Sequence, residues 1–229
     1  MLTTLQQDRM FTLFSDHYDG VSRNNFNADL DAKTSVILLE DENAIIRGFS
    51  TQEIYDTIHD GESVRILFSG DTIIEPQYWG SQELVRGWCA LVARMLKNAG
   101  QIKCYWFLIS KGYRTYLYLP VFFKHYYPQH DGHNNELAPL LDQLASAKFS
   151  SAYDKNLGVI RFNMSHGHLR KHLHEVPPRR SENQAVIFFL ERNPHFTEGV
   201  ELACLAEISI KNTHGVGKRM LRQAIAEIS

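Results

Sequence analysis

The residues best placed to do chemistry begin with the run 65–88, RILFSGDTIIEPQYWGSQELVRGW. An apolar strand ends at Pro76, a short loop reaches Gly80, and a helix starts through Ser81 as its N-cap. Exposed amides at a helix start favour negative charge, so this junction can hold an anionic group. Glu75, at the end of the strand, is placed to serve as a base through water. Lys111-Gly112-Tyr113-Arg114 follows a second strand, at the kind of strand C-terminus where α/β sites are built. Its Lys111 and Arg114 suit a phosphate or a carboxylate. A third cluster, SHGHLRKHLHEVPPRR at 165–180, gathers His166, His168, His172 and His174 among basic residues. His168 and His172 stand at a spacing that would share a helical face and permits zinc. The segment lacks the acid that an HExxH motif places between its histidines, and no cysteine adjoins it. It is therefore read as a solvated turn, with contact to an anionic partner as the alternative, and no metal ligand is assigned.

The elements that must carry these residues follow from periodicity. Leu5, Met10, Phe11, Leu13 and Phe14 predict a helix over 3–17. SVILL at 35–39 and AIIRGFS at 44–50 flank the polar turn EDEN and predict a hairpin, with a further strand at 64–74. Leu84, Val85, Trp88, Leu91, Val92, Met95 and Leu96 recur at helical spacing over 81–98. IKCYWFLIS at 102–110 reads as a buried strand, then helices are predicted at 113–127, kinked at Pro120, and near 136–149. A short strand at 158–162, a segment at 184–193 whose pattern fits helix or strand and is taken as helix, a strand at 199–210 and a helix at 215–227 complete the chain. This order predicts an α/β (α+β) fold of three layers. The expected division is a core over 1–150 and a continuation over 151–229 that completes the sheet and its helices.

Composition narrows the function classes. With 24 basic and 26 acidic residues the formal charge is −2, which disfavours a dominant nucleic-acid footprint. Cys89, Cys104 and Cys204 are too far apart for a short-spaced zinc motif and read as buried free thiols in a reducing compartment. The N-terminus lacks the pattern of an export signal, and the apolar run at 116–123 is too short to span a bilayer. A soluble, cytoplasmic protein is expected, and 13 Phe with 10 Tyr are compatible with a homodimer.

The chain resembles the GNAT superfamily of N-acyltransferases through residues 35–127. Pro76, Tyr78 and Gly80 agree with that family's pyrophosphate-binding signature, Pro-x-Tyr-Arg/Gln-Gly-x-Gly-x-Gly/Ala. Trp79, Gln82 and Leu84 depart from it, and Glu83 adds a negative charge to the first helical turn. The resemblance implies a GNAT-like fold with a mixed, largely antiparallel sheet flanked by helices. It implies transfer of an acyl group from acetyl-coenzyme A, a longer acyl-coenzyme A or an acyl carrier protein to a small-molecule amine. Tyr78, Gly80, Ser81, Gln82, Lys111 and Arg114 would then face the donor, with strand residues 107–109 beside the thioester. Catalysis would draw on Glu75 as base and, as acid, on one of the tyrosines of the following segment, Tyr113, Tyr116, Tyr118, Tyr126 or Tyr127, of which Tyr116 and Tyr126 are taken first. The competing reading is a non-catalytic binding or structural protein on the same scaffold, its cleft filled by Trp79, Gln82 and Leu84.

Overall fold

The computed structural model describes residues 2–132, 135–162 and 166–228. Helix α1 (Thr4–His17) starts at a capping box in which Thr3 and Gln6 exchange side-chain-to-amide hydrogen bonds. It buries Met10, Leu13 and Phe14. A two-residue strand, β1 (Tyr18–Asp19), leads into α2 (Arg23–Asp31), whose cap is Ser22. Only Phe26 and Leu30 are buried in α2, a stripe too thin to be read from periodicity.

Strands β2 (Ser35–Glu40), β3 (Ile46–His59) and β4 (Glu62–Ile74) form an antiparallel meander. The second strand extends well past the apolar run at 44–50, because Gln52–His59 pair with Ser69–Glu62. Helix α3 (Glu83–Ala99) then returns the chain to β5 (Lys103–Ser110), which lies parallel to β4. Helices α4 (Tyr113–Tyr116), α5 (Tyr118–Phe122) and α6 (Ala138–Phe149) follow, then β6 (Tyr153–Asp154), β7 (Val159–Ile160) and β8 (His168–Leu169). Helix α7 (Lys171–His174), α8 (Gln184–Arg192), β9 (Glu201–Glu207) and α9 (Gly215–Ala226) complete the described chain.

The main sheet has the order β2-β3-β4-β5-β9-β7-β6, and β4 with β5 is its one parallel pairing among the described residues. Strands β1 and β8 form a separate antiparallel pair. Alternation along β5 sends Trp106 and Leu108 into a core with α3, α8 and α9, and Tyr105 and Phe107 into a core with α6. Helices α1 and α2 pack a third cluster on Phe49 and Ile73. Helices therefore flank a mixed, largely antiparallel sheet in the three-layer GNAT-like arrangement.

Two local expectations are corrected. The predicted helix at 113–127 breaks into α4 and α5 and ends at Phe122. Beyond it Phe123 bridges Thr213, and Tyr127 exchanges two backbone bonds of 2.8 Å with Leu205. Pro128 disfavours helical geometry at Tyr127, and the edge of β9 offers its backbone other partners. At the start of α3 the N-cap is Gln82, without a side-chain cap, rather than Ser81. Ser81 still accepts from the Glu83 amide at 3.3 Å. All three cysteines are free and buried. No helix among the described residues is long and apolar enough to cross a membrane.

Candidate active site

The parallel register between β4 and β5 runs from Val64–Lys103 to Ser69–Leu108 and stops there. Beyond it β4 continues to Ile74 and β5 to Ser110 without pairing to each other, so the two strands splay. The register of β4 on β3 also slips at this level, with Gly70 and Asp71 set against Thr51 alone. Such a two-against-one bulge re-aims side chains where a strand bends. It presents Asp71 to the mouth of the splay.

Three cavities meet there. A small apex cavity of about 50 Å³ is lined by Leu84, Val85, Trp88, Trp106 and Leu108. A loop-side cavity of about 400 Å³ opens beside Trp79, Gly80, Ser81, Arg114, Tyr118 and Arg180. An acid-side cavity of about 440 Å³ opens beside Asp71, Asp29, Lys111, Glu201 and a wall of aromatic rings. Thr72 and Thr115 line all three, and Tyr18 and Lys111 line both large ones. Each large cavity is of the size that holds a small ligand.

On the loop side, Gly80 adopts a φ of +99°, and a Cβ added there would meet nothing within 4 Å. The position is thus open, and its backbone conformation favours glycine. Trp79 donates its indole N–H to the Ile74 carbonyl at 2.8 Å, and Arg114 stacks on its ring at 4.5 Å. The Arg114 Nε is buried without a hydrogen-bond partner in the described structure. Arg114 and Arg180, beside the N-terminal end of α3, make this wall suited to an anion. Of the six residues expected to face a donor, Gly80, Ser81, Lys111 and Arg114 line this cavity. Tyr78 lies instead under the Arg47 guanidinium, 5.8 Å from its centre, and Gln82 is exposed.

On the acid side the Asp71 carboxylate has no hydrogen bond or ion pair within the described structure. Burial pushes its pKa up to about 7; Asp29 and Glu201 add to the rise, and Lys111 and Lys33 oppose it. Lys111 and Glu201 form a buried ion pair at 3.3 Å, and the ammonium also lies 4.7 Å from the centre of the Tyr18 ring. Asp71 and Glu201 escaped the sequence reading. Their signal was present as acids inside the apolar runs 64–74 and 199–210, where an unpaired charge is costly and needs a reason.

A chain of buried polar groups ends at the junction. Trp106 Nε1 donates to Ser69 Oγ at 2.8 Å, and Ser69 donates to Gln52 Oε1 at 2.7 Å. Gln52 Nε2 donates to Ser50 Oγ, which lies 2.7 Å from Thr72 Oγ1. An indole can only donate, so it sets the direction of the chain. The reverse amide orientation would leave the Ser69 proton without an acceptor. Either hydroxyl of that last pair can be the donor, and where Ser50 donates, the Thr72 hydroxyl proton is left free for the cleft.

The other predicted groups lie elsewhere. Glu75 is held by Arg9 and by Arg47, the latter at 3.4 Å, beside a separate surface cavity. Tyr116 is fully buried, donates to the Pro128 carbonyl at 2.8 Å, and has its pKa raised by burial. Tyr126 is buried with it, its pKa pushed up to about 12, chiefly by burial. Neither lines the three meeting cavities, whereas Tyr118 lines two of them, and burial raises its pKa too. His168 is in β8 and His172 in α7, so the two share no helical face. Residue 165 lies outside the described residues, and no three His, Cys, Asp or Glu side chains among the described ones group as metal ligands.

No family model and no curated protein matches the chain. Among solved structures, it is similar to a conserved protein of Enterococcus faecalis V583 named a probable N-acyltransferase, at 11% identity and a TM-score of 0.43. That match covers 55% of this chain and spans only 31% of the Enterococcus protein. The GNAT family N-acetyltransferase YhbS of Escherichia coli, solved in complex with CoA, matches at 14% identity and a TM-score of 0.35, over 48% of this chain and 60% of its own. A Trypanosoma brucei acetyltransferase matches at 13% identity and a TM-score of 0.34, over 62% and 87% respectively.

Proposed function

We propose that this protein is an acyltransferase that moves an acyl group from a thioester to a small-molecule amine. The observation that carries the reading is the pair of ligand-sized cavities that open beside the splay and share Thr72, Thr115, Tyr18 and Lys111. Two substrates can thus meet at one point from two mouths. The loop-side cavity is assigned to the thioester donor and the acid-side cavity to the amine.

Coenzyme A fits the loop side. Gly80 leaves its backbone open to a diphosphate, the Arg114 Nε lacks a partner, and Arg180 adds a second cation. Bound there, coenzyme A would supply an acyl group activated as a thioester. A thioester on an acyl carrier protein needs the same cleft.

The chain's own groups then divide the work. Asp71 takes the proton that an ammonium must lose before it can attack. As the C–N bond forms and the C–S bond breaks, the amine loses a second proton. That proton passes to Tyr118 as the tyrosine gives its own to the departing thiolate, so Tyr118 ends neutral and the proton from the ammonium stays on Asp71. Thr72, at the end of the buried chain, donates its hydroxyl proton to the carbonyl oxygen as negative charge builds there. Lys111, held by Glu201, fixes the wall between the two cavities.

A non-catalytic scaffold would fill the cleft with Trp79, Gln82 and Leu84. Gln82 is exposed and Leu84 is buried, which leaves Trp79 as the one of the three lining the donor mouth. Calorimetric titration with coenzyme A, acetyl-coenzyme A and octanoyl-coenzyme A tests the assignment. Saturable binding is expected, weakened about tenfold or more by Arg114→Ala. No binding of any of the three would remove coenzyme A as the carrier.

A further inference from the structure

Resting on that reading, we infer that the acceptor is a monoamine carried on an aromatic body, and that amino acids and polyamines are excluded. The argument is an accounting of charge in the acid-side cavity. Asp29 is paired with Lys33 at 2.5 Å, Glu201 with Lys111 at 3.3 Å, and Lys148 with Glu53 at 2.5 Å. His166, on the rim, has its pKa lowered by burial and then by Lys111, which keeps it neutral near neutral pH. Asp71 is the remaining charged group among the described lining residues, and it has no ion pair. The cavity therefore offers one uncompensated charge, and it is negative.

A ligand with a single ammonium satisfies it. A ligand that also carries a carboxylate would bring a second charge to a wall whose cations are already engaged, and its desolvation would go unrepaid. A polyamine would bring further cations with no unpaired acid to receive them. Ser22, Asn25, Thr72 and Thr115 add neutral polar groups to the wall, and its largest side chains are aromatic. Phe14 and Phe26 rings lie 5.2 Å apart, Phe14 and Tyr18 5.0 Å, and Phe68 and Phe149 6.1 Å. Such a lining suits a flat ring, and about 440 Å³ accommodates one with a short alkyl arm.

The test compares three amines on the full chain: 2-phenylethylamine, phenylalanine, which adds only a carboxylate, and spermidine. Binding is measured by calorimetry without a donor, and transfer by thiol release from acetyl-coenzyme A. Phenylethylamine is expected to bind about tenfold or more tightly than either other amine, and Asp71→Asn to remove that advantage. Equal or tighter binding of phenylalanine or spermidine to the unaltered protein would overturn the inference, with no variant needed. The two readings separate cleanly. Transfer to spermidine or phenylalanine with none to phenylethylamine leaves the acyltransferase standing and sinks the acceptor class. The expected order of amine binding with no thioester bound and no thiol released does the reverse. Binding of neither amine nor thioester sinks both.

Discussion

Asp71 shows how one residue ties stability to activity. Its carboxyl ionises near pH 7 in the folded chain and near the ordinary carboxylate value, about 4, when unfolded. A group raised in this way stabilises the fold below its unfolded pKa, and that contribution is lost as pH rises through the folded value. Asp71→Asn stays neutral throughout. It should therefore be more stable than the unaltered protein at pH 8, by on the order of a few kcal/mol, and should show little difference at pH 4. Thermal melts across that range measure it, and equal melting temperatures at pH 8 would refute the uncompensated charge. The same variant should lose the acid limb of the rate profile near pH 7 along with most of its activity. At this scale the sequence was half legible. Gly80, Ser81, Lys111 and Arg114, singled out by the local signatures of a helix start and a strand end, all line the loop-side cavity. Asp71 was missed because its meaning comes from a bulge defined by the partner strand, and Tyr118 stood unseparated among five tyrosines because the break after α5 settles which of them face the cleft.

Three strands cooperate in the polar chain from Trp106 to Thr72, with β5 giving the indole, β3 giving Gln52 and Ser50, and β4 giving Ser69 and Thr72. It lies where the sheet loses its ladder, and side chains there replace the backbone bonds that the splay removes. Thr72→Val keeps the shape and removes the terminal donor. It should lower kcat about tenfold to a thousandfold, with little change in KM for either substrate. Gln52→Leu breaks the chain upstream, leaving Ser69 and Ser50 unsatisfied, and should cost about 1–3 kcal/mol in urea unfolding. Steady-state kinetics with KM unchanged would support the role, and a pure KM effect would refute it. Strands β2, β3, β4, β5, β7 and β9 and helices α1, α3, α6, α8 and α9 were legible as elements because each has an apolar face or run. Helix α2 and the outer half of β3 were not, since polar residues there are held by partners distant in sequence.

At the scale of the whole molecule, β9 pairs with β5 on one side and β7 on the other, and it contributes Glu201 to the cleft. Residues 151–229 would then be needed by the core rather than appended to it. A fragment of residues 1–150 exposes the edge of β5 and the faces of Trp106, Phe107 and Leu108 that β9 and its helices cover. It should lack a cooperative melting transition and aggregate, as judged by calorimetry and light scattering, whereas a cooperative melt would mark 1–150 as an independent unit. The two mouths at the splay also bear on timing. On the proposed function neither visitor would block the other's door, so both could be present before any bond changes, and the cargo would pass hand to hand without being set down on the protein. Cys89, Cys104 and Cys204, the thiols on which it might otherwise rest, are locked in the core. The emptied carrier and the finished amide can then leave by separate exits, in either order.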